Sequence, residues 1–238
     1  MTVLYEHGTL ASLMAGNFDG TITLKELLSH GNQGVGTFAG LDGEVIILDG
    51  HVYQAVSSGK VNEITDLSEE LPFASVHFPK PGEELMLEKA DFKFINEKIP
   101  EQYELQNVFA AIRLRGKFSK IHTRIAPKQE KPYPSLLTVS KEQAEFEYTN
   151  VTGTVVGYYA PAIFNTVTAG GWHLHFISDD RQIGGHLLEF IGENIQGNLE
   201  IFDTLEQHFP INNQEFRKGK VNLETLQKDI AASEGNNE

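Results

Sequence analysis

The tightest constraint on the fold lies between residues 34 and 57, where short apolar or aromatic runs alternate with turn signals. The runs are 36–40, 44–48 and 51–55, and they are separated by Leu41-Asp42-Gly43 and by Asp49-Gly50. Asp-Gly accepts the positive φ values of tight hairpin turns, whose twist matches that of the flanking strands. This segment therefore predicts three antiparallel strands between about residues 35 and 57. Before it, residues 9–13 and 22–30 read as two short helices around a polar turn. Thr23 is the N-cap of the second and Glu26 its capping-box partner.

Further along, residues 68–76 and the prolines at 79 and 81 read as irregular connections, and 101–111 as a helix. Strands are expected at 111–116, 121–125, 146–151, 153–159, 172–177, 185–191 and 197–202, with a helical tail over 222–232. The proline- and charge-rich run 127–134 (PKQEKPYP) marks a boundary between two halves, 1–130 and 131–238. There is no internal repeat.

Composition narrows the function classes. Against 19 basic residues stand 33 acidic ones, a formal net charge of -14. Such a surface repels phosphate backbones and anionic lipid, which argues against nucleic-acid and membrane partners. With no cysteine in the chain, thiolate metal sites and cysteine nucleophiles are excluded, so any metal must be held by His, Asp or Glu. The N-terminal residues show no leader pattern, which predicts a cytoplasmic protein.

Within residues 171–186 (GWHLHFISDDRQIGGH), His173 and His175 share one face of a strand while Trp172, Leu174 and Phe176 take the other. Two strand rises set these histidines about 7 Å apart at the backbone, close enough for both rings to reach one ion. The segment continues as a hairpin. A turn centred on Asp179–Asp180 sets His173 opposite His186, and a shift of one residue sets His175 there instead. Either register brings three imidazoles together, a donor set that suits an open catalytic zinc site. His7, His30, His51, His77, His122 and His208 lack partners at ligand spacing. Glu44 and Arg124, judged by their local sequence alone, read as solvated strand residues.

The chain resembles the acetolactate decarboxylase family. The likeness is carried by residues 34–50 (GVGTFAGLDGEVIILDG), 127–134 and 171–186, in family order and across most of the sequence. It implies zinc held by His173, His175 and His186, with Glu44 beside the metal, Arg124 facing the substrate and Thr37 lining the same pocket. A second glutamate near the C-terminus, Glu234 or else Glu238, also reaches the metal in that family. The implied reaction is decarboxylation of acetolactate to acetoin and carbon dioxide through an enediolate that a glutamate protonates, in a homodimer.

A cupin-like non-haem metal enzyme is the rival enzyme reading, but Asp179, Asp180 and Glu189 do not fit the glutamate that cupins place soon after HxH. A metal-stabilised binding protein without activity is the rival from another class. Motifs and resemblance together predict an α+β, mostly β chain: a mixed sheet, an antiparallel sheet or barrel, a few short helices, and a metal site between the two β-rich halves.

Overall fold

In the computed structural model, which describes residues 1–222 and 224–234, the chain opens with β1 (Val3–His7), α1 (Leu10–Met14), β2 (Ile22–Thr23) and α2 (Leu24–Leu27). Thr23 caps α2 as expected, its hydroxyl accepting from the Glu26 N–H. The turn-rich segment follows as β3 (Gln33–Thr37), β4 (Glu44–Leu48) and β5 (His51–Ala55), paired antiparallel. Asp49 and Gly50 both have positive φ, 52° and 83°, the conformation their hairpin demands. β6 (Val61–Ile64), β7 (Glu70–Leu71) and β8 (Phe73–His77) complete this stretch. The sequence suggested an irregular connection where β8 lies. All five of its residues are buried, so the polar alternation that would mark a strand is missing.

The next elements are β9 (Glu83–Asp91), α3 (Phe92–Gln102) and β10 (Ala110–Ile125). The helix starts nine residues before the expected one because Asp91 caps it, accepting from the Phe94 N–H. After α4 (Leu136–Ser140) come β11 (Ala144–Tyr148), β12 (Val151–Ala160), β13 (Gly171–Ser178) and β14 (Gly184–Ile201). The chain then adds β15 (Thr204–His208), α5 (Gln214–Lys218) and α6 (Leu226–Glu234). β10 and β14 each unite two strands that the sequence suggested were separate. Their mutual pairing carries register shifts at Arg115/Lys117, Phe118/Lys120 and His122/Thr123, and these bulges break the alternation on which strand recognition depends.

Apart from a small β2–β7 pair, the strands form two layers. One is a seven-stranded sheet of order β15-β1-β8-β3-β4-β5-β6, antiparallel apart from the β1–β15 pair. In the other, β10 pairs with β12, β12 with β13, β13 with β14, and β14 back with β10, closing an antiparallel barrel flanked by β11 and β9. A cut at residue 130 does not separate the layers. β9 and β10 join the barrel, and β15 crosses back to the first sheet, because hydrogen-bond partners here are chosen across the whole chain.

Inside the barrel, Phe118 meets Phe176 and Phe190 edge-on at 5.4 and 5.6 Å between ring centroids, with Leu114 and Leu174 around them. On its outer face Val156, Tyr158 and Ile177 pack against Val35, Ile46 and Tyr53 of the seven-stranded sheet. Strand alternation sends His173 and His175 to this outer face, opposite Leu174 and Phe176. The histidines therefore sit where the two layers meet.

Candidate active site

Of the two registers open to the hairpin, the chain adopts the one that sets His175 opposite His186. Arg181, at φ 59°, turns the chain, and Ser178 N–H bonds to the Ile183 carbonyl at 2.9 Å. His173, two residues back on the same face, completes a group whose ligand atoms lie within 4.8 Å of one another. His173 Nε2 and His175 Nε2 are 3.3 Å apart. Two nitrogens bound tetrahedrally at zinc distances would be separated by roughly 3.3–3.4 Å. His175 Nδ1 lies 2.9 Å from the Val45 carbonyl oxygen, which can only accept, so Nδ1 carries the proton and Nε2 is left with its lone pair toward the cluster. Burial holds His175 well below the usual histidine range, and His173 adds to the effect. Burial does the same at His186, followed by the charge of Arg124. Three imidazoles whose ring nitrogens converge in this way form a donor set that fits a metal ion.

Glu44 enters from the other layer. It is 9% exposed, its Oε2 lies 3.5 Å from His175 Nε2, and its Oε1 accepts from the Ala126 N–H at 3.2 Å. Gly43 makes this position possible: φ is +75°, and a Cβ there would fall 2.1 Å from the Ala55 carbonyl oxygen. Thr37, paired with Glu44 across β3 and β4, donates its hydroxyl to the Gly43 carbonyl at 2.8 Å and so holds the turn. Arg124, next to last in β10, stands opposite His186. Its Nη1 donates to the Ser233 carbonyl at 2.5 Å, and its Nη2 lies 3.3 Å from His186 Nε2.

One cavity, open to solvent, gathers Thr37, Glu44, Arg124, His173 and His186, with His175 buried behind them. Sequence reasoning missed the rest of its lining. Leu10 and Leu13 of α1, Phe73, Leu136 of α4 and Ala169 form an apolar wall, and Gln143 adds an amide. None of these stands in a chemical motif. Glu234 is the last residue of α6, and its side chain, like all of Glu238, lies outside the described residues.

The remaining histidines are engaged elsewhere. His7 meets His208, His51 meets Glu63, His77 meets Tyr158, His122 meets Glu145, and His30 stacks on Tyr5. The carboxylates a cupin reading would call on are also committed: Asp179 to Arg115, Asp180 to Ser178 and Glu189 to Lys120. Among the described residues no helix is long and apolar enough to cross a membrane.

Residues 4–223 match the family model described as alpha-acetolactate decarboxylase. The alpha-acetolactate decarboxylase of Lactococcus lactis subsp. cremoris is 39% identical over 236 residues, covering 98% of this chain and 99% of that one. The Bacillus subtilis 168 enzyme of the same name is 34% identical over 239 residues, covering 99% and 92%. Its crystal structure superposes with a TM-score of 0.93 at 33% identity, over 98% of this chain and 99% of that one. A Staphylococcus aureus protein described as similar to alpha-acetolactate decarboxylase also gives 0.93, at 36% identity over 97% and 99%. With its fold, its site and its full length all matching, the chain belongs to the alpha-acetolactate decarboxylase family, a family of carboxy-lyases.

Proposed function

We propose that the protein converts acetolactate to acetoin and carbon dioxide with a zinc ion held by His173, His175 and His186. The observation that carries this reading is the meeting of three imidazoles, a guanidinium and a carboxyl group around one cavity. Acetolactate is a β-keto acid with a tertiary hydroxyl on the carbon that bears the carboxylate. Zinc at the histidines would supply a Lewis acid for the ketone and hydroxyl oxygens.

The chain's own groups account for the other requirements. Arg124 offers a planar fork of donors to the carboxylate, and its anchor at Ser233 O fixes the plane in which that fork lies. When the bond to the carboxyl carbon breaks, its electron pair passes into the ketone and leaves an enediolate. Glu44, or Glu234 at the end of α6, in its protonated form then delivers one proton to the carbon that lost the carboxylate and takes another from water, which balances the reaction. A carboxylic acid fixed on one side of the pocket protonates one face, so a single enantiomer of acetoin is expected. The wall of Leu10, Leu13, Leu136 and Ala169 suits the substrate's two methyl groups. A homodimer and a cytoplasmic location complete the proposal.

The test is release of carbon dioxide and acetoin from acetolactate by purified protein with no organic cofactor added, beside elemental analysis of bound metal. Activity that appears only when thiamine diphosphate is supplied would refute the reading.

A further inference from the structure

Arg124 lies on the barrel, yet one contact of its guanidinium comes from the far end of the chain. Its Nη1 donates to the main-chain carbonyl of Ser233 in α6, a residue 2% exposed whose hydroxyl bonds back to the Asp229 carbonyl at 2.8 Å. Leu226 and Ile230, 4% and 2% exposed, anchor α6 in an apolar cluster with α1 and α4. That cluster includes Leu10, Leu13 and Leu136, which also form the wall of the cavity. Arg124 Nη2 stands 3.3 Å from His186 Nε2, so a rotation of the guanidinium also changes what faces the metal ligands.

We propose that α6 is a positioning element for Arg124: apolar docking through Ile230 and Leu226 presents the Ser233 carbonyl, and that carbonyl aims the guanidinium into the cavity. A carbonyl near a helix C-terminus has no partner within its own helix and is available to an outside donor. A guanidinium presents its donors in a rigid plane, so holding one Nη fixes the direction of the others. The role of the aimed group rests on the decarboxylase reading. The contact itself does not.

The experiment uses the full-length, metal-loaded protein with Ile230→Ala, Arg124→Lys and the double variant. A misplacement on the order of 1 Å can cost up to about a hundredfold in rate. Ile230→Ala is therefore expected to lower kcat/KM by about ten- to a hundredfold while metal content holds. In the Arg124→Lys background the same change should add little, since its target is already gone. Independently of activity, phenylglyoxal should modify Arg124 faster in Ile230→Ala, as read by mass spectrometry.

Losses that multiply in the double variant, or an unchanged modification rate, would overturn the proposal. So would an Ile230→Ala effect that vanishes in a Glu234→Gln background but persists in Arg124→Lys, since α6 would then act through its glutamate. If Arg124→Lys alone leaves kcat/KM at the wild-type value, the carboxylate role of Arg124 fails, and the modification rate still decides whether α6 aims it.

Discussion

Glu6 offers a quantitative test of the structure that does not depend on the reaction. It stands on β1, is completely buried between the sheet layers, and lies 3.4 Å from the Ser75 hydroxyl. Burial pushes its carboxyl up from 4.5 to about 7, against the opposing pull of the Thr168 and Ser75 hydroxyls. An acid raised in the fold binds its proton more tightly there than in the unfolded chain. Below about pH 4.5 both states are protonated and the group is neutral to stability. Between about 4.5 and 7 only the folded state holds the proton, so stability falls as pH rises, and above 7 the loss is complete at about 3 kcal/mol.

Glu6→Gln keeps the shape and removes the titration. Unfolding by urea or heat, compared between variant and wild type from pH 5 to pH 8, should show a difference that widens toward high pH. For a chain of this length the gap at pH 8 corresponds to roughly 6–12 °C in Tm. His7 and His77, which burial lowers to about 4, are present in both proteins and cancel in the comparison. A difference that stays constant across this range would show that Glu6 ionises normally in the fold.

Three further outcomes are expected. His173→Ala should lose most of its bound zinc by elemental analysis, because two remaining imidazoles hold the ion far more weakly. Glu44→Gln should retain zinc but show reduced turnover and mixed acetoin enantiomers on a chiral column, whereas Arg124→Lys should retain chirality and lose kcat/KM. Gly43→Ala should destabilise by at least about 2 kcal/mol in denaturant titration, from its positive φ and the Ala55 carbonyl in the way, and should depress turnover by displacing Glu44.

The parts of this molecule legible in the sequence are those governed by neighbours in the chain. Asp49-Gly50 announces its hairpin, and His173-Leu174-His175 announces which face carries the imidazoles. The register at His186 was narrowed to two choices and no further, since a one-residue shift at the turn leaves no local trace. Glu44 was readable as a pocket residue only through family resemblance. By its position after a turn it reads as solvated, and only packing of the barrel against β4 buries it. β1 and β15 carry no strand signal of comparable strength because each is completed by a distant partner. Leu10, Leu13 and Leu136 likewise reveal apolar helix faces, but nothing in their spacing says that a cavity lies beyond them.

The parallel join of β1 to β15 has a consequence for how the chain is made. Thr2 and Asp203, bonded beside this join, are 201 positions apart, so the pairing is among the most non-local a chain of 238 residues can form. β1 can dock on β8 early, but its other side has no strand to pair with until β15 is synthesised. At bacterial or eukaryotic elongation rates of about 5–20 residues per second, the roughly 130 residues between β8 and β15 take on the order of 6–25 s. If β1 and β8 pair within that interval, their sheet presents a bare edge of the kind that recruits foreign strands. The carboxyl of Glu6, held on the inward face of that edge strand, is costly to bury against an unrelated partner. A side chain that weakens the finished fold at neutral pH would thereby protect the unfinished one.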